Sequence, residues 1–189
     1  MSEVIFPENH ICLTSSKHIE KISKPLFDNS QLFFFDFTRI FPDASFIQLT
    51  SNIAPTQYLM SNGYHFLPSI QFTGNRNTYH LTNNNDLLKS HTHILKEKFS
   101  LENYFLIIQK QSDYLDVFGF GSTPYLHQPI NFYLNNLKML EGFTLLFKEK
   151  AKEIINFSIR CRLVLTGKTK LEYKKLVAFL CMNEGKVYS

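Results

Sequence analysis

"QLFFFDFTRIFPDASFIQLT" occupies residues 31–50, and its alternation decides the fold class. In the run 31–41, Phe33, Phe35, Phe37 and Arg39 alternate with Phe34, Asp36 and Thr38. Successive side chains of a strand point to opposite faces, so both faces of this strand carry aromatic rings. Pro42 and Asp43 in "PDAS" (42–45) supply turn chemistry, and "FIQLT" (46–50) returns as a second strand. Two β-type runs joined by turn residues predict a hairpin.

Working outward, the same logic predicts a second hairpin. "NYFLIIQK" (103–110) and "YLDVFGFG" (114–121) read as strands joined at "QSD" (111–113), and "TYHL" (78–81) as a further short strand. Helical periodicity falls between and around them. Ser15 to Phe27 predicts a first helix, with Pro25 weakening its last turn. Ala54 to Asn62 predicts a short helix stopped by Gly63. "NNND" (83–86) offers N-caps for a helix from about Leu87 to Phe99. Pro129 opens the longest helical run, about 130–157, whose apolar residues recur at three- and four-residue steps. "IRCRLVL" (159–165) is ambiguous, "TGKT" (166–169) reads as a loop, and Lys170 to Met182 predicts a final helix. The expected class is α+β. It is an α-β-α sandwich in which helices flank a mainly antiparallel, PAS/GAF-like sheet of about five strands.

Composition agrees with a globular domain. Of 189 residues, 44% are hydrophobic and 19% charged, with 19 Phe, 9 Tyr and no Trp. So many rings suit a thick core or an aromatic-lined cavity. The net charge is +4, too mild to predict nucleic-acid binding. Cys12, Cys161 and Cys181 are odd in number and widely spaced, which predicts reduced thiols. The N-terminus has no apolar run and no stretch has the roughly 20 apolar residues of a membrane span, so the expected location is cytoplasmic and off the membrane.

Tests for chemistry are negative. His80, His91 and His93 lie close in sequence, but two residues apart on a helix means about 200° apart, and no recognised metal-ligand spacing is completed. "GFGSTP" (119–124) reads as a strand end with a bulge, not a phosphate loop. "GKTK" (167–170) lacks the upstream glycine of a P-loop. Asp113, Asp116, Ser122, Thr123 and His127 lack the spacing of a nucleophile elbow. Lys and Glu interleaved over 148–162 read as a solvated face. The expectation is no enzyme and no cofactor.

Several segments together resemble the N-terminal sensor domain of LuxR-type transcriptional regulators, of the Legionella-type LuxR-like kind. "FFFDFTRIFPDASFIQLTSN" (33–52) is similar to that family's first hairpin, and "FLIIQKQSDYLDVFGFGST" (105–123) to its last two strands. "INFYLNNLKMLEGFTLLFKEKAKEII" (130–155) resembles the long helix after them, and "SNIAPTQYLMSNGYHFLPSI" (51–70) the segment that carries the signal site. The resemblance implies an antiparallel sheet between helical layers. It implies a small signal held between sheet and helices, and a state of dimerisation that controls a DNA-binding helix-turn-helix.

Residue by residue, the family's tyrosine falls on Tyr58 and the proline of its Asp-Pro pair on Pro68. The aspartate that accepts the signal's amide N–H falls on Leu67, and the tryptophan that donates to the lactone falls on Ala54. The glycine opening the penultimate strand falls near Tyr104, and a polar residue of the last strand on Ser122. Each lost hydrogen bond costs about 1–3 kcal/mol, so two remove a factor of roughly 10²–10⁴ in affinity. A standard acyl-homoserine lactone is therefore not expected, and two readings of the cavity stand: it takes a different, small apolar signal molecule, or Phe and Tyr side chains fill it. The expected organisation is a sensor domain over 1–165 and a linker and helix over 166–189, with no helix-turn-helix pattern before Ser189. The expected partner is a second copy, docked through the 130–157 helix, with DNA reached only through a further domain. Two alternatives stand beside this reading: a stand-alone sensor that pairs with a full-length regulator, and a small metal-dependent enzyme around His80, His91 and His93.

Overall fold

β1 (Leu32–Ile40) is buried along almost its whole length, as a strand with rings on both sides must be when helices cover both faces. The computed structural model in which it lies describes residues 10–43, 45–61, 77–81 and 89–164, apart from the side chains of 59–61, 89–92 and 164. β1 pairs antiparallel with β2 (Ser45–Thr50), so the expected hairpin forms. Asp43 closes the turn: its Oδ1 accepts from the Ser45 amide at 2.9 Å and the Ser45 hydroxyl at 2.6 Å.

The second hairpin, β4 (Glu102–Lys110) and β5 (Leu115–Ser122), pairs with β1 through β5. β3 (Thr78–Leu81) extends the sheet beyond β4. The ambiguous run after residue 159 resolves into β6 (Leu163–Val164), a two-residue edge strand against β2. The sheet is antiparallel in the order β3-β4-β5-β1-β2-β6, five full strands and one remnant. With the helices it forms the α+β sandwich expected from the sequence.

One face of the sheet carries Phe35 and Phe37 of β1, Ile47 and Leu49 of β2, and Phe118 and Phe120 of β5. α2 (Ser16–Asp28) covers it with Ile19 and Leu26. The expected helix over 130–157 also covers it, but as three segments: α5 (Pro129–Asn135), α6 (Leu137–Lys150) and α7 (Lys152–Ile159). Asn136 and Ala151 leave helical geometry at φ −102° and −95°, although backbone bonds to Phe132 and Phe147 bridge both bends. At the first bend the Asn136 side chain donates to the Phe132 carbonyl at 2.8 Å and competes with the ladder. The bends let one long apolar stripe follow a twisted sheet. Phe35 packs edge-on against Phe143 and Phe147 at centroid distances of 5.0 and 4.7 Å. Such pairs contribute about 0.5–1.5 kcal/mol each beyond the area they bury.

The opposite face carries Phe34 and Ile40 of β1, Phe46 of β2, Leu106 and Ile108 of β4, and Leu115 and Val117 of β5. α1 (Ile11–Thr14) contributes Cys12 there, α3 (Ile53–Ser61) Tyr58, and α4 (Lys89–Phe99) Leu95 and Phe99. A register shift between Leu32 and Phe34 breaks the expected alternation, so Phe33 packs with Phe34's face and not with Phe35. Pro25 lies inside α2, and the carbonyls at that helix end are met by side chains: Asn29 Nδ2 donates to Pro25 and the Ser30 hydroxyl to Leu26, each at 2.7 Å. Among the described residues, no helix is long and apolar enough to cross a membrane. The glycine stop at Gly63, Cys181, "TGKT", the final helix over 170–182 and the segment 166–189 lie outside the described residues.

Candidate functional site

Asp36 is a single carboxylate between phenylalanines, and β1 buries it to 4% exposure. It shares its face of the sheet with Phe34 and Thr38, the face under α3 and α4. The Tyr104 hydroxyl, from β4, donates to Asp36 Oδ1. Gln48 Nε2, from β2, donates to Asp36 Oδ2 at 3.2 Å. Three strands thus converge on one carboxylate.

β5 runs between Tyr104 and Asp36, and a glycine lets them meet. A Cβ at position 119 would lie 1.8 Å from the Tyr104 hydroxyl and 2.2 Å from Asp36 Oδ1. Gly121 serves the same face, where a Cβ would meet Leu101 at 2.2 Å. β5 ends at Ser122, so "GFGSTP" holds a strand end as expected, and the register slips beside Gly121 on both flanks: between Glu102 and Phe105 of β4, where Asn103 takes φ 51°, and between Leu32 and Phe34 of β1. The space left by the missing Cβ at 119 is filled by the Tyr104 hydroxyl and Asp36, and that at 121 by Leu101.

The polar row continues toward α3. Asp36 is paired with Thr50 of β2, and the Thr56 hydroxyl of α3 donates to Thr50 Oγ1 at 3.1 Å. This contact seats the start of α3 over the sheet beside Asp36. Asn52 Oδ1 caps the helix through the Ala54 amide at 3.1 Å. Along α3, Tyr58 is half-buried, its ring 5.8 Å from that of Phe99 on α4.

Electrostatics at Asp36 are unusual. Burial pushes its carboxyl up from 3.8 to about 6, against the pull of hydrogen bonds from Tyr104, Gln48 and the Gly119 amide. Burial and the neighbouring Asp36 charge hold the Tyr104 hydroxyl well above its ordinary value. The Tyr104 proton therefore stays on the phenol, which acts as a donor. Gln48 Oε1 is buried with no hydrogen-bond partner among the described residues. Such an orphaned acceptor costs about 1–3 kcal/mol.

The residues expected at a ligand site divide. Tyr58 and Tyr104 share the α3/α4 face. Ala54 is exposed on α3. Ser122 is buried beside Tyr133 at the opposite face, its hydroxyl 3.5 Å from the Glu102 carbonyl. Leu67 and Pro68 lie outside the described residues. Asp36, Gln48 and Thr50 are not among the residues expected at a site from the sequence. The signal for them was two polar residues, Asp36 and Gln48, embedded in strands that otherwise read as apolar.

The residues considered for other chemistry do not converge. Asp116 forms a bidentate pair with Arg39, at 2.7 Å to Nε and 3.0 Å to Nη2, and Arg39 stacks 3.8 Å above the Tyr114 ring. Burial still pushes the Asp116 carboxyl up, despite Arg39. His93 lies on the surface of α4, 3.2 Å from Glu97. His80 is on β3, and the His91 side chain lies outside the described residues. Among the described residues, no three His, Cys, Asp or Glu side chains are grouped to hold a metal. No protein-family model matches the sequence, and no curated protein matches it.

Proposed function

We propose that this chain is a small-molecule-sensing regulatory domain of the LuxR type, one whose signal is apolar and is not a standard acyl-homoserine lactone. The observation that carries this reading is the buried polar row of Tyr104, Asp36, Gln48 and Thr50, set in an apolar layer between the sheet and α3. A row of this kind in a purely structural layer costs desolvation, whereas in a ligand layer it orients a guest. Tyr58, carried over from the resemblance, sits on the same face. Leu67 and Ala54 in place of an aspartate and a tryptophan argue against a lactone ligand.

The dimeric part of the reading draws on α5 to α7. Ile130, Leu134, Leu145 and Phe157 are large, apolar and more than half exposed on these helices. Exposed apolar surface on the long helical segment expected to dimerise supports a second copy as partner. DNA would be reached through a further domain, and the expected compartment is the cytoplasm.

Thermal unfolding across panels of fatty acids and lactones tests the sensing role. A concentration-dependent rise with an apolar class supports it. No rise with any member favours a face whose space is filled by its own Phe and Tyr side chains.

A further inference from the structure

We propose that Gln48 Oε1 is the polar anchor of the ligand site, and that the ligand is a mainly apolar molecule carrying one hydrogen-bond donor, a hydroxyl or an N–H. This inference rests on the sensing role proposed above.

The other polar groups of the row are already occupied. Asp36 accepts from Tyr104, Gln48 and the Gly119 amide. Thr50 Oγ1 accepts from Thr56 and donates to the Asn52 carbonyl at 2.9 Å. The orientation of the Gln48 amide is fixed by its neighbour, because an ionised carboxylate only accepts and so takes Nε2. Gln48 Oε1 is then the acceptor left over, on a residue only 1% exposed. Among the described residues the buried side-chain atoms without a partner are this oxygen and the hydroxyls of Ser15 and Ser23, and of the three only Gln48 Oε1 lies in the polar row beneath α3.

The chemistry of that group follows. An acceptor asks for a donor, so the ligand brings O–H or N–H at this point. The Asp36 charge beside it disfavours a second anion, so a carboxylate head is excluded at neutral pH. The surroundings are apolar, with Phe34, Leu106 and Val117 on the same face and Tyr58 on α3, which suits a hydrocarbon or aromatic body.

A matched pair of probes tests this on the full chain: 1-nonanol and its methyl ether, which differ in the donor. Binding is read from the shift in thermal unfolding with concentration. The proposal expects the alcohol to bind about tenfold tighter than the ether, the value of one hydrogen bond. In Gln48→Met the ratio should fall to about one while the ether still binds. Equal binding of both probes to the native chain overturns the anchor and leaves the sensing role standing. No shift with either probe also overturns the anchor, and the sensing role then falls only if the wider panel of fatty acids and lactones gives no shift either. The native-chain ratio decides the matter even if Gln48→Met does not fold.

Discussion

Tyr104 and Asp36 meet across Gly119: a phenol from β4 donates to a carboxylate on β1 over a strand with no side chain between them. The two residues are separated by 68 positions in sequence, and the contact exists because β5 lies between their strands. It places a buried charge, its donors and an orphaned acceptor on the face beneath α3.

Gly119→Ala should be costly. The added methyl would collide with both partners, at 1.8 and 2.2 Å, on a strand buried throughout. Overpacking of this kind typically costs 1–3 kcal/mol, roughly the range expected here. Adding Tyr104→Ala removes one of the two collisions, so the double variant should lose less than the sum of the singles. Urea unfolding of the four species measures this coupling.

Asp36 predicts a pH dependence. Its carboxyl titrates near 6 in the folded chain instead of 3.8, so folding favours the protonated form. That contribution is complete below about pH 4 and is lost as pH rises through about 6, roughly 3 kcal/mol in all. Asp36→Asn stays neutral throughout. The difference in unfolding free energy between native chain and variant should therefore change across pH 4–6.5 and be flat above it. Urea titrations at stepped pH provide the check.

Arg39 and Asp116 form a buried ion pair on the opposite face of the sheet, at the end of the α6 face. Asp116→Asn leaves the guanidinium buried without its counter-charge, at a cost of about 3–5 kcal/mol. Replacing both, as Arg39→Met with Asp116→Leu, should recover most of that loss. Parallel thermal unfolding of single and double variants distinguishes the two outcomes.

Leu134 and Leu145 are 63% and 64% exposed on α5 and α6. If they belong to a dimer interface, Leu145→Glu should lower the dimer fraction at a given concentration and leave monomer stability within about 0.5 kcal/mol. Sedimentation velocity over a concentration series reads this directly. A native chain that stays monomeric throughout would remove the dimeric part of the proposed function.

Much of the architecture was written in local pattern. The alternation of Phe34 to Phe37 and the turn at Pro42 and Asp43 carry the first hairpin in local pattern, and the same holds for 103–121. The break of the 130–157 helix was not legible. Asn136 and Ala151 are compatible with a helix, and the bends answer to the sheet beneath them. β6 has two residues, too few for periodicity to register. The site was half legible. Asp36 and Gln48 stand out as polar residues in apolar strands, but their meeting depends on the register between β1 and β2. The role of Tyr104 depends on a pairing across β4, β5 and β1. Ser122, matched by resemblance, lies instead by Tyr133, because strand alternation turns it to the other face.

The most direct test of the central claim is thermal unfolding of the full chain titrated with apolar small molecules, run in parallel on Tyr58→Ala. One ligand class should raise the midpoint with the logarithm of its concentration. At a hundredfold excess over its dissociation constant the gain is about 2.7 kcal/mol, roughly 5–10 °C for a chain of this size. The gain should shrink in the Tyr58 variant. A midpoint that stays fixed for every fatty acid, alcohol, ether and lactone, in both proteins, would contradict that claim.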